Sequence, residues 1–121
     1  MPNTNNMTIN EIKEILNAEV VCDGNLNAEV LSACGSDMMS DVLAFVKDQA
    51  VLLTGLVNAQ VIRTAVMMDM ACVVFVRSKK PTADMIEIAK ESGIVILATD
   101  KRMYEACGQL YESGLKGTNV R

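Results

Sequence analysis

Polar residues follow three predicted strands of this sequence, and those after the second strand could bind an anion. Arg77 and Lys79 carry fixed positive charge and Ser78 a hydroxyl, and they precede a predicted helix whose N-terminal amides favour negative charge. In an open parallel sheet, ligands bind beyond the carboxyl ends of the strands, where such residues would meet. The geometry allows a site for a phosphate or carboxylate, although a charged loop before a helix is more often only solvated. The candidate ligand-binding residues are Thr54, Gly55, Asn58, Arg77, Ser78, Lys79, Thr99 and Asp100.

A second group combines two carboxylates, Asp37 and Asp41, with the hydroxyls of Ser36 and Ser40. Paired acids can bind a divalent cation or divide the roles of general acid and base. The same residues at the start of a helix also serve as caps and complement its dipole. We favour capping by Ser36 or Asp37 and keep the four residues as a secondary candidate site.

Several catalytic groups are absent from the chain. It has no histidine, so neither a Ser-His or Cys-His nucleophile pair nor a histidine-containing zinc site can form. Its four cysteines form no C-x-x-C pair and are expected to be small buried hydrophobic residues. No glycine-rich phosphate or dinucleotide motif is present. We therefore expect no catalytic residue, no metal and no cofactor.

Composition narrows the range of partners. The 121 residues carry a formal charge of -4 and include only two tyrosines, two phenylalanines and no tryptophan. Nucleic-acid binding relies on positive charge and often on stacked aromatic rings, so it is not expected. No apolar run approaches the length of a membrane span, and the first residues lack the regions of a signal peptide. The sequence thus favours a cytoplasmic protein with no membrane partner.

The first half of the chain contains a mixture of short predicted elements. Thr8 and Glu11 form a capping box ahead of apolar residues at helical spacing up to Leu16. Residues 18–22 and 31–34 are predicted strands, 26–30 a loop or short strand, and 38–45 a short helix. The pattern does not indicate how the strands before residue 51 join the sheet.

From residue 51 the chain alternates regularly between strands and helices. Predicted strands at 51–53, 71–76 and 94–97 are each followed by a helix, at 58–69, from Thr82 to Gly93, and at 101–113. This order implies right-handed crossovers and a mainly parallel sheet between helices, a three-layer α/β/α fold. We expect one domain over 8–114, with loose tails at 1–7 and 115–121.

Four segments together resemble a DRTGG domain. They are residues 35–42 (GSDMMSDV), Leu53-Thr54-Gly55 with Asn58-Ala59-Gln60, residues 71–76 followed by Pro81 and an acidic helix, and residues 93–99 (GIVILAT). The resemblance covers about residues 8–113 and is strongest to the stand-alone form of the domain. The sequence departs from the naming motifs: Thr54-Gly55-Leu56 replaces Gly-Asp-Arg, and Arg77-Ser78-Lys79 replaces Thr-Gly-Gly.

The resemblance implies a regulatory rather than a catalytic role. DRTGG domains occur in some phosphotransacetylases and CBS-domain pyrophosphatases, and their fold is similar to the N-terminal domain of HPr kinase/phosphorylase. The resemblance implies a homodimer that senses a small ligand or binds a regulatory protein partner. The alternative is a dedicated nucleotide or phosphometabolite-binding protein that uses the basic loop.

Overall fold

The computed structural model describes residues 6–46 and 49–117 as twelve short elements. The helices are α1 (Ile9–Leu16), α2 (Met39–Phe45), α3 (Ala59–Met67), α4 (Ala83–Ser92) and α5 (Met103–Glu112). The strands are β1 (Met7–Thr8), β2 (Glu19–Cys22), β3 (Glu29–Val30), β4 (Ser32–Gly35), β5 (Ala50–Thr54), β6 (Cys72–Phe75) and β7 (Val95–Ala98).

Five strands form the central sheet in the order β2-β7-β6-β5-β4. The last four are parallel, as the alternation of strands and helices predicts, whereas β2 pairs antiparallel with β7. The small strands β1 and β3 pair separately from this sheet. The register places Thr54 beside Phe75 and Phe75 beside Ala98, so the carboxyl ends of three neighbouring strands are level.

Helices cover both faces of the sheet. Alternate strand residues face opposite sides: Leu52 and Val73 contact the apolar side chains of α2, α3 and α4, while Leu53 and Val74 contact those of α1 and α5. Every residue of β5, β6 and β7 is buried, which explains their continuous apolar sequences. The predicted three-layer α/β fold with a mainly parallel sheet is therefore confirmed.

Local capping signals mark several helix ends correctly. Thr8 and Glu11 form the capping box of α1, with Thr8 Oγ1 accepting from Glu11 N at 3.1 Å. Thr82 caps α4, and Gly93 ends it in the left-handed conformation with φ 76°. The last helix begins at Met103, two residues later than predicted, because residues 101 and 102 still belong to the loop after β7.

Ordered structure extends beyond the predicted domain limits. Met7 lies in β1 and is buried against Val30, its partner in β3. Leu115 is also buried, and Ala33 of the edge strand β4 donates its N–H to Lys116 O at 2.9 Å. The prediction of loose tails is thus corrected for Met7 and for residues 115–117, and residues 1–5 and 118–121 lie outside the described part of the chain. Among the described residues, no helix is long and apolar enough to cross a membrane.

Candidate anion-binding site

The loop after β6 has an unusual backbone that fixes the direction of its side chains. Arg77 and Ser78 are consecutive left-handed residues, with φ 58° and 60°. Arg77 N donates to Lys101 O at 2.8 Å and Ser78 N to Thr99 O at 2.9 Å, so this loop is bound to the loop after β7. Left-handed conformations cost non-glycine residues roughly 1–2 kcal/mol each, and such strain is concentrated at functional sites.

Asp37 binds the turn that follows β5. Its Oδ1 accepts hydrogen bonds from Thr54 Oγ1 and Gly55 N, both at 2.8 Å. The Gly55 N–H bond, the Thr54 hydroxyl and the charge of Arg77, in that order, lower the pKa of the Asp37 carboxyl. The prediction that Ser36 or Asp37 caps α2 is wrong, because the N-cap is Met38 and no side chain caps it.

Arg77 lies across the glycine of this turn. A Cβ at position 55 would overlap Nη2 of Arg77, so glycine there permits the guanidinium to approach the backbone. Within the described part of the chain, Arg77 forms no ion pair and its side chain donates no hydrogen bond. The guanidinium is therefore held near Asp37 with its donors still available.

The start of α5 forms the opposite wall. Its N-cap, Arg102, makes no side-chain cap hydrogen bond, so amides of the first turn remain available. Gly35 lets the helix approach closely, since a Cβ there would lie 2.6 Å from Cys107 Sγ. These walls border an open surface cleft of about 500 Å³, the Arg77 cleft, lined by Gly35, Ser36, Asp37, Arg77, Arg102, Met103 and Tyr104.

A second, smaller cleft lies on the other side of the same loop. We call it the Lys80 cleft; it has a volume of about 280 Å³ and is lined by Asn17, Glu19, Ser78, Lys80, Ala98, Thr99 and Asp100. The cation and the buried hydroxyl of this cleft have protein partners. Lys80 forms an ion pair with Glu19, and the buried Thr99 hydroxyl donates to Leu16 O at 2.7 Å.

The structure thus divides the predicted site between two clefts. Ser36, Asp37 and Arg77 line the first, and Thr54 and Gly55 support it through Asp37. Ser78, Thr99 and Asp100 line the second.

Four further predicted residues neither line a cleft nor bind a residue that does. Asn58 caps α3, with Oδ1 accepting from Gln60 N at 2.8 Å. Lys79 is exposed in the loop, and Ser40 and Asp41 are exposed in the first turn of α2.

Four residues of the Arg77 cleft are absent from the predicted site: Gly35, Arg102, Met103 and Tyr104. The signal for Arg102, Met103 and Tyr104 is their closeness to the end of a predicted strand, and the predicted helix start at residue 101 obscures it.

The other reactive side chains do not form a cluster. Among residues 6–46 and 49–117, no three carboxylate or thiol side chains lie together in a way that could hold a metal ion. All four cysteines are free thiols; Cys22 and Cys72 are buried, and Cys34 and Cys107 are half-buried. Burial raises the pKa of each thiol, which disfavours the reactive thiolate form.

Comparison with known proteins agrees with this fold. The chain is similar to a solved structure of the CBS and DRTGG domains of the regulatory region of a Clostridium perfringens pyrophosphatase, complexed with the activator diadenosine tetraphosphate. The TM-score is 0.72 at 14% identity, and the match covers 94% of this chain and 52% of that one. This chain thus spans about half the length of that relative, and the likeness shows the fold alone.

Sequence comparison identifies the family. A search of curated proteins found no significant match. The DRTGG domain model, however, matches residues 11–113, nearly the whole chain and every element of the central sheet. This protein therefore belongs to the DRTGG domain family.

Proposed function

We propose that this chain is a non-catalytic regulatory module that senses a small phosphorylated ligand in the Arg77 cleft. One observation carries the proposal: a strained loop holds Arg77 over Gly55, facing Arg102 at the uncapped start of α5. Two guanidinium groups and helix amides are well suited to phosphate oxygens. The similarity to a pyrophosphatase regulatory region supports the regulatory part of the proposal.

Within the described residues, the chemistry of the Arg77 cleft favours a binding role over an enzymatic one. Asp37, the one carboxylate lining the Arg77 cleft, already accepts two hydrogen bonds, and its lowered pKa makes it a weak base. The sequence offers no histidine, and the thiols have raised pKa values. A ligand would therefore bind without being transformed.

The test compares two double variants that remove equal charge. Thermal unfolding is measured for wild type, Arg77→Ala/Arg102→Ala and Lys79→Ala/Lys80→Ala with adenine and guanine nucleotides, pyrophosphate and acyl phosphates. A specific ligand at a hundredfold excess over its Kd stabilises wild type by about 2.7 kcal/mol. We expect the arginine variant to lose this stabilisation and the lysine variant to keep it. Equal loss in both would indicate general charge attraction and contradict a specific site.

We also propose that the chain forms homodimers. Met67 and Val66 at the end of α3 and Leu43 on α2 are exposed to 71%, 41% and 40%. These two helices are neighbours on one side of the sheet, and exposed apolar groups favour an interface.

Sedimentation velocity tests this proposal. We expect Met67→Glu to shift the protein toward monomer, whereas Tyr111→Glu on α5 leaves the dimer intact. A wild-type monomer at all micromolar concentrations would leave a regulatory protein as the expected partner of this surface.

A further inference from the structure

Tyr104 has an exposed ring at the edge of the Arg77 cleft. It is the second residue of α5, and its side chain is 90% exposed, more than any other large apolar residue among those described. Such a ring stabilises the fold little, because little of its surface is removed from water. It offers a flat face directly beside the two arginines that line the same cleft.

The cleft also contains a carboxylate oxygen, Asp37 Oδ2, to which no described residue donates a hydrogen bond. Oδ1 of Asp37 accepts from Thr54 and Gly55, whereas Oδ2 accepts no hydrogen bond from the described residues. A free phosphate would meet this negative charge as well as the arginines. A ligand with phosphate at one end and hydroxyl or amine donors at the other would bind both the arginines and the carboxylate oxygen.

We propose that the ligand of the Arg77 cleft is a nucleoside phosphate whose base stacks on Tyr104. Arg77 and Arg102 bind its phosphates, and Asp37 Oδ2 accepts from a sugar hydroxyl or a base amine. The volume of about 500 Å³ falls within the range of small-molecule sites. This inference rests on the proposed function, because it needs the same two arginines to bind phosphate.

The experiment separates the contribution of the base from that of the phosphates. Isothermal titration calorimetry measures the Kd of ADP, GDP and pyrophosphate for wild type, Tyr104→Phe, Tyr104→Leu and the control Tyr111→Leu. Stacking of one base changes affinity by about ten-fold or more. We expect Tyr104→Leu to weaken at least one nucleotide by that factor and leave pyrophosphate unchanged. Tyr104→Phe keeps the ring and should bind like wild type, as should Tyr111→Leu.

Fluorescence provides a second readout. The chain has two tyrosines and no tryptophan, so in Tyr111→Phe the emission comes from Tyr104 alone. A stacked base should quench this emission with the same Kd that calorimetry gives. Because the nucleotide itself absorbs the exciting light, the same titration of free tyrosine amide provides the correction.

The possible failures are distinguishable. If Tyr104→Leu binds both nucleotides as tightly as wild type, or if only pyrophosphate binds, the inference is overturned while the proposed phosphate site remains. If neither nucleotide binds wild type at millimolar concentration, the inference fails; if the acyl phosphates and pyrophosphate also fail to bind, the proposed phosphate site fails with it.

Discussion

The two clefts beside the β6–α4 loop contain similar residue types but differ in how their polar groups are bound. In the Lys80 cleft, Lys80 pairs with Glu19 and the Thr99 hydroxyl donates to a backbone carbonyl. In the Arg77 cleft, the two arginines form no ion pair within the described part of the chain. The lysine of the Lys80 cleft is therefore paired, whereas the two arginines of the Arg77 cleft keep donors available for a ligand.

The difference arises from the backbone of the loop. Successive left-handed residues send Arg77 to one side, over Gly55, and Ser78 to the other, beside Thr99. The residues of the basic loop are therefore divided between two clefts and do not form one site. Substitutions in the Lys80 cleft should mainly change stability, and those in the Arg77 cleft should mainly change ligand binding.

The largest expected effect on stability is that of Thr99→Val. It removes the buried hydroxyl that donates to Leu16 O and accepts from Lys101 N at 3.3 Å, so both backbone groups lose that partner. Loss of such a bond costs about 1–3 kcal/mol. Chemical denaturation should show this decrease in the free energy of unfolding, while the Kd of any ligand of the Arg77 cleft stays unchanged.

Thr64→Val is the matched control for Thr99→Val. Thr64 is 1% exposed, and its Oγ1 has no hydrogen-bond partner. The same substitution there removes a buried polar atom without breaking a bond, so stability should stay constant or rise by up to about 1 kcal/mol. An equal decrease in the free energy of unfolding of both variants would mean that hydrogen bonding by Thr99 does not cause the loss of stability.

Asp37→Asn should show the next largest effect, because Asp37 supports the Arg77 cleft. The charged carboxylate accepts two hydrogen bonds, and its loss should cost about 1–2 kcal/mol at neutral pH. Because the folded-state pKa is lowered, its contribution is present above the ordinary aspartate pKa and is lost as pH falls through the folded-state value.

The measurement compares unfolding free energies of wild type and Asp37→Asn between about pH 7 and pH 3. The difference between the two proteins should shrink toward the acid end of this range. A difference that stays constant would show that the charge of Asp37 contributes nothing to stability.

Local patterns predicted most of the elements. The capping box of Thr8 and Glu11, the Thr82 cap and the apolar run of β6 each depend on residues close in sequence. The parallel order of β5, β6 and β7 follows from their short helical connections. These signals give the fold class and the edge of the sheet at which the clefts lie.

The division of the site depends on contacts that the sequence pattern does not contain. The Thr99 hydroxyl finds its acceptor 83 residues away, at Leu16 O, and Asp37 binds groups 17 and 18 residues away. Nothing in the composition of the basic loop predicts two consecutive left-handed residues without glycine. The antiparallel pairing of β2 with β7 at the sheet edge likewise depends on contacts between residues distant in sequence.

Gly55→Ala sharpens the comparison at the Arg77 cleft. The new methyl group would displace the Arg77 guanidinium, so affinity for the ligand should fall by about five-fold, or about 1 kcal/mol. Stability should change little, because the displaced group is the flexible end of an exposed side chain. Calorimetric titration with the ligand identified in the thermal screen measures the effect.

Gly108→Ala provides the control for Gly55→Ala. A Cβ at position 108 meets no atom within 4 Å, and the residue lies inside α5. This variant should bind ligand like wild type and gain roughly 0.5–1 kcal/mol of stability from the higher helix propensity of alanine. Loss of affinity in both variants would show that the effect does not come from Arg77.

Ser78→Gly should have the smallest effect and tests the strained loop that separates the clefts. Glycine adopts the left-handed conformation without steric cost, although it also makes the unfolded chain more flexible. We expect a net gain of about 0.5–1 kcal/mol from relief of strain. Ser78→Ala removes the same hydroxyl but keeps the strain, so it should show no gain in chemical denaturation. If both variants unfold alike, the left-handed backbone at Ser78 carries no measurable strain, and the directions of Arg77 and Ser78 depend only on the hydrogen bonds to the β7–α5 loop.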